Sequence, residues 1–216
     1  MDHETHDVDA AHLLRTIDAD RERTQASLAP DVRLLYSVWG VAWIIGFTAA
    51  FLGSYPWGAP ILPLWIALVI AGAALVAAIV ISAVHSARRG SGMRGPSNVR
   101  GAITGNAFPL AFLVLGALGF RLAVAGTPPD AMLAYWVVGV CLVIGALGVV
   151  GAAMWNDRGQ LAFSAWVLVV GFVAAWIPGA FVLLAGAVGG LGFLALGILA
   201  AARPRLVTGP IVPRHG

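Results

Sequence analysis

Apolar residues in this chain do not alternate with polar ones. They gather into long runs separated by short polar or turn-forming stretches. A helix needs about 20 apolar residues to cross a hydrocarbon core about 30 Å thick, where no water is present to satisfy a broken backbone. Six runs meet that requirement, at 34–53, 61–84, 107–126, 131–155, 161–177 and 179–202. The fifth is short and ends in Trp176-Ile177-Pro178-Gly179, a helix stop followed by a tight turn, so the last two runs form a hairpin and not one overlong span. The pattern predicts an all-α, polytopic membrane fold: six transmembrane helices over 34–202, a cytoplasmic segment at 1–33 and a cytoplasmic tail at 203–216.

Composition agrees with that class. With 60% apolar residues, 11% charged and a mean hydropathy of +0.89, the chain lies outside the range of soluble domains. All 13 basic residues are arginine, and their placement matters more than the net +3. Residues 1–33 hold eight acids and four arginines, so the basic excess belongs to the membrane part. The connections at 54–60 and 127–130 and the Pro178-Gly179 turn contain no arginine, whereas Arg33, Arg88, Arg89, Arg94, Arg100, Arg158, Arg203, Arg205 and Arg214 fall in the alternate connections and flanks. Cytoplasmic loops retain positive charge, so both termini are expected inside a bacterial cytoplasmic membrane. Trp57, Trp136 and Trp176 near the outer ends and Trp155 near an inner end fit the interfacial aromatic belts. No signal peptide is expected, because the first apolar run begins at Leu34 behind an acidic stretch.

The cytoplasmic segment divides in two. His3 and His6 stand among carboxylates near the start, a stretch expected to be disordered. From Asp9, a helix N-cap, the residues Ala10, Leu13, Leu14 and Ile17 share one helical face with Leu28 less regularly in phase. Asp18 lies three residues from both Arg15 and Arg21, and Pro30 suits the first turn of the spanning helix. The stripe is narrow and the segment acidic, which favours a protein partner over an anionic lipid surface.

Gly90-x-Gly92-x-x-Gly95 has the spacing of a dinucleotide-binding loop. Such a loop needs a preceding strand, a following helix N-terminus and an acid about 20 residues on; here a membrane helix precedes and no acid follows before Asp130. The stretch 85–106 therefore reads as a positive-inside loop, with Arg88, Arg89, Arg94 and Arg100 as candidate contacts to anionic lipid or an acidic partner. Within the spans the one ionisable residue is Arg121, about five residues from an outer end. Three roles stay open for it: snorkelling to headgroups, pairing with Asp130, or holding an anionic substrate group.

Buried carboxylates for proton coupling, a Ser/His pair and paired haem ligands are missing from the spans, so an enzyme, a cofactor and a metal are not expected. His85 reads as an interfacial imidazole and the lone Cys141 has no partner for a disulfide. Nucleic acid is not an expected partner, because the basic charge sits at loop positions of a membrane protein. Gly145, Gly148, Gly151 and Ala152 in the fourth run, with Gly186-x-x-x-Gly190, Gly189 and Gly192 in the sixth, are candidate helix-packing positions, within the chain or in a homo-oligomer. Gly-Phe pairs at 46–47, 119–120 and 171–172 fall in the three outward-running helices and suggest a two-helix hairpin unit; a fourth, at 192–193, departs from that order.

Leu13-Leu14-x-Thr16-Ile17, Leu35-Tyr36-x-x-Trp39-Gly40-x-Ala42-Trp43, and Val84-His85 through Arg94-Gly95-Pro96-Ser97 to Gly101-Ala102 together resemble a family of uncharacterised six-span membrane proteins of GC-rich Gram-positive bacteria. The similarity covers most of the chain. It implies a "membrane protein" or "transporter" beside a winged-helix regulator gene, and no site residues. The closing hairpin is also loosely similar to the acid-resistance membrane protein family, through Gly171 and Pro178-Gly179. The expected function is a non-enzymatic transporter or permease-type component; the alternative is a membrane-tethered protein binding a cytosolic partner, an ATPase or a regulator, through its N-terminal segment and the 85–106 stretch.

Overall fold

The computed structural model describes residues 12–17, 31–54, 58–90 and 96–211. His3, His6, Asp9, Ala10, Asp18, Leu28, Pro30, Trp57 and Arg94 lie outside them. Residues 12–17 are helical and carry Leu13, Leu14 and Ile17 exposed. Six main helices follow: α1 (Val32–Leu52), α2 (Leu64–Gly90), α3 (Pro96–Val124), α4 (Pro129–Trp155), α5 (Arg158–Ala174) and α6 (Val182–Ala202), then the short α7 (Pro204–Val207). A 3-10 turn, Gly179–Phe181, leads into α6. Among the described residues there is no strand. Five helices are long and apolar enough to cross a membrane, α6 being counted with its leading turn; α5, with 17 residues, is a shorter apolar helix.

The helix ends have local causes. Asp31 caps α1, its Oδ1 accepting the Arg33 N–H at 3.0 Å. Pro129 opens α4, and Asn156 closes it in the left-handed region, φ 53°. Asp157 immediately caps α5, Oδ1 accepting from the Gly159 N–H at 2.8 Å and the Gln160 N–H at 3.2 Å. Gly179, φ 58°, makes the turn after Pro178.

Two helices overrun their apolar runs. α2 continues to Gly90 and α3 begins at Pro96, so 85–106, read from sequence as a loop, is largely helical. Apolar length reports hydrocarbon thickness, not helix length: the 29 residues of α3 rise about 44 Å, well beyond the core. Arg88 and Arg89 in the last turn of α2 complement its dipole, and Pro96 suits a first turn.

Helices α1, α4, α5 and α6 form the core: α1 packs on α6, α6 on α5, and α5 on α4. Helices α2 and α3 are wings, packed chiefly on α1 and α4 respectively. The α1–α6 contact is close because neither backbone carries a side chain where they cross. A Cβ on Gly190 would stand 2.9 Å from the Gly40 carbonyl oxygen, and one on Gly40 would stand 2.9 Å from the Gly190 oxygen. Beside this crossing an aromatic group fills the bundle, with Phe193 4.1 Å from Phe163 and 5.3 Å from Trp43, and Tyr36 5.9 Å from Phe163. Indole N–H groups tie helices laterally: Trp39 Nε1 donates to Ser82 Oγ at 3.0 Å, joining α1 to α2, and Trp166 Nε1 donates to the Gly189 oxygen at 3.3 Å, joining α5 to α6.

Candidate functional site

Several charged groups, among them Asp31, Arg33, Arg89 and Asp157, gather at one end of the bundle. Asp31 is its node. Its carboxylate caps α1 and pairs with the Arg33 guanidinium, Nε to Oδ1 at 3.1 Å and Nη2 to Oδ2 at 3.3 Å. Its own N–H, which precedes the helix and has no intrahelical acceptor, donates to His85 Nε2 on α2 at 3.0 Å. That acceptor role requires Nε2 to be without a proton. The imidazole thus joins α2 to the start of α1, a tie that its reading as a simple interfacial residue did not contain.

The C-terminal segment completes this end. The Arg158 N–H donates to the Gly209 oxygen at 3.0 Å, and Arg158 Nη2 donates to the Arg205 oxygen at 3.0 Å. Asn156 Oδ1 accepts the Ile211 N–H at 2.9 Å, and Val207 is buried over Gly159. Residues 203–211, expected to be a plain tail, fold back on the α4–α5 turn. Between this segment, the start of α1 and the end of α2 lies an open cleft of about 670 Å³, lined among others by Asp31, Arg33, Arg89, Trp155 and Asp157.

The cleft holds one of the candidate contact residues read from the sequence and several residues that were not candidates. Arg89 lines it, whereas its neighbour Arg88 is not among the lining residues; Arg100 lies in the first turns of α3 and Arg94 is outside the described residues. Asp31, Asn156 and Asp157 were missed as site residues. For Asn156 and Asp157 the sequence signal was the capping pattern Trp155-Asn156-Asp157-Arg158-Gly159, which marks a helix end and start but not a cleft.

Arg121 and Asp130 are not brought together. Both are exposed and no ion pair joins them. Arg121 is in the last turn of the outlying α3, and Asp130 is in the first turn of α4, its Oδ2 4.0 Å from where a Cβ on Gly179 would stand. Each charge suits the dipole of its own helix end. Of the packing glycines, Gly145, Gly148 and Gly151 face Leu168, Ser164 and Gln160 of α5, while Gly186 and Gly190 face Phe47 and the Gly40 region of α1. Ser164, fully buried beneath Gly148, donates its hydroxyl to the Gln160 oxygen at 2.6 Å. Cys141 is buried. Among the described residues no cluster of His, Cys, Asp or Glu could hold a metal ion.

The Arg33 guanidinium, hydrogen-bonded to the Asp31 side chain, holds that carboxyl below the usual aspartate range. A depressed folded-state pKa means that the stabilisation is complete at neutral pH and is lost as pH falls below about 4. Asp31→Ala is therefore expected to cost about 1 kcal/mol at pH 7. The gap from the unsubstituted protein should narrow in acid, as read by tryptophan-monitored thermal unfolding in mild detergent. A gap independent of pH would refute the ionic part of this account.

No family model, curated protein or solved structure matches the chain.

Proposed function

We propose that the chain is a non-enzymatic, six-span subunit of a permease-type assembly in the cytoplasmic membrane, with both termini on the cytoplasmic side. The resemblance to the six-span family of GC-rich Gram-positive bacteria is part of this reading. Backbone bonds from Ala175, Trp176 and Ile177 to the preceding turn extend α5 toward spanning length, which supports a sixth crossing. The gathering of Arg33, Arg89, Arg158 and Arg205 at one end supports the orientation.

The observation that carries the assembly is on α3. Glycines in the core meet a neighbouring helix closely, yet at Gly101, Gly105 and Gly116 of α3 a Cβ would meet no described atom within 4 Å. The exposed wing thus presents Gly101-x-x-x-Gly105, a close-packing surface unused within one copy. A Cβ at Gly105 meets no described atom within 4 Å, so Gly105→Leu is expected to leave the monomer folded and reduce cross-linked oligomer by about tenfold, equivalent to about 1.4 kcal/mol of association. Cross-linking in native membranes followed by size analysis reads this. Unchanged cross-linking would remove α3 as the interface.

The membrane-tether reading has its own support, the overhanging ends of α2 and α3 that carry Arg88, Arg89 and Arg100 beyond the apolar runs. A retained ATPase in a mild-detergent purification favours the permease, and a retained regulator favours the tether.

A further inference from the structure

The cleft at the charged end has a volume in the range of small-ligand sites. Its lining carries two guanidiniums, Arg33 and Arg89, and two carboxylates, Asp31 and Asp157, so it is dipolar and not simply basic. The Asp31 carboxylate is engaged on both oxygens, by the α1 cap and by Arg33. Asp157 is different: Oδ1 takes both cap bonds of α5, while Oδ2 accepts no hydrogen bond from the described residues. The cleft therefore offers two guanidiniums and, in the same lining, a carboxylate oxygen with unused acceptor capacity. Val32, Trp155 and Ala200 add apolar wall.

A second cavity, apolar in character, lies farther along α1 and α2. An apolar groove of about 330 Å³ runs between α1 and α2, past Val41, Ile45, Ala74 and Ala77. Its lining residue nearest the start of α1, Ser37, is one turn from Arg33, and Ile81 of α2 is about two turns from Arg89. A ligand fitting both cavities has an anion and a cation in its head and hydrocarbon below. Each head charge narrows the choice. A purely anionic head would set a second negative charge against Asp157. A quaternary ammonium would neutralise that carboxylate without donating a hydrogen bond to Oδ2, whereas a primary ammonium does both.

We infer that this cleft is a specific site for a phospholipid with a phosphoethanolamine headgroup. The phosphate faces Arg89 and Arg33, the ammonium donates to Asp157 Oδ2, and one acyl chain follows the α1–α2 groove. The inference rests on membrane integration and not on the permease reading, so either can fail without the other.

The test uses the purified full chain, delipidated in mild detergent and offered lipids of identical acyl chains with phosphoethanolamine, phosphocholine or phosphoglycerol heads. Native mass spectrometry reads what is retained. The expected result is a preference for phosphoethanolamine over phosphocholine of about tenfold, the contribution of one charge-assisted hydrogen bond. Asp157→Asn keeps a good helix cap while removing the charge, and should bring that ratio close to one. Arg89→Gln should weaken retention of both lipids together. Equal retention of the two heads by the unsubstituted protein, or a ratio unmoved by Asp157→Asn, would overturn the assignment. So would a preference for phosphoglycerol, which would mark a plain cationic site. Free phosphoethanolamine binding as tightly as the lipid would equally overturn it, because the groove would then contribute nothing. The headgroup comparison on the unsubstituted protein needs no variant, and so decides the matter even if a variant fails to fold.

Discussion

Gly190→Leu is expected to abolish the folded protein. A Cβ at this position would stand 2.9 Å from three atoms of α1 at once: the Gly40 carbonyl oxygen, Trp43 Cβ and Ile44 Cγ1. One of these is backbone, so no rotamer change relieves the clash; α1 and α6 would have to separate. Their contact is the central one of the core, and separation would also pull Trp43 from Phe193. Overpacking at a single side chain costs about 1–3 kcal/mol where neighbours can adjust, and more where they cannot. Folded proteins are stable by only about 5–15 kcal/mol, so loss of a whole helix interface exceeds what the bundle can absorb. Gly72→Leu on α2 is the matched control, since a Cβ there meets no described atom within 4 Å. Size-exclusion chromatography in mild detergent should show a monodisperse peak for Gly72→Leu and aggregate for Gly190→Leu. A Gly190→Leu protein that elutes and melts normally would disprove the close crossing.

Phe193→Ala carries the second large effect, and Phe172→Ala is its foil. Both phenylalanines follow a glycine in an apolar run, and pattern alone treats them alike. Phe193 is 5% exposed and touches Phe163, Trp43 and Tyr36; Phe172 is 70% exposed, with Trp176 at 6.5 Å as its ring neighbour. Removing the buried ring leaves a cavity that the surrounding aromatic side chains only partly fill, at a cost of about 3–5 kcal/mol. Hydrocarbon solvates an exposed ring about as well as protein does, so Phe172→Ala should change stability by less than about 0.5 kcal/mol. Unfolding midpoints in the same detergent give the comparison. Equal losses in the two variants would mean that Phe193 does not occupy the core described above.

These two residues mark where sequence reading stops. Composition separated apolar helices from their connections, because exclusion of water acts on every residue of a span. It could not tell which face of a span meets protein, because both lipid and core are apolar and the pattern around the helix is weak. The Gly-Phe pairs show this directly: Phe47 lies against Trp43, whereas Phe120 and Phe172 are exposed. Arg121 and Asp130 illustrate a related limit. Nine residues apart across a short turn, they invite pairing, but one ends the outlying α3 and the other turns toward Gly179. The cleft was less legible still, for Asp31, Arg89, Asp157 and the 203–211 segment come from distant parts of the chain.

The sequence by itself determined that the chain is helical and apolar enough for a bilayer, where most helices stop, and which connections carry arginine. Those properties follow from local chemistry: transfer of side chains, capping groups and charge beside apolar runs. Only the tertiary structure decided that α1, α4, α5 and α6 form the core with α2 and α3 outside it. It also decided that the last segment folds back to build a charged cleft with Asp31 and Asp157. The physical reason is that helix pairing in an apolar medium depends on the fit of small surfaces, such as Gly40 against Gly190, and that fit exists only once the helices meet.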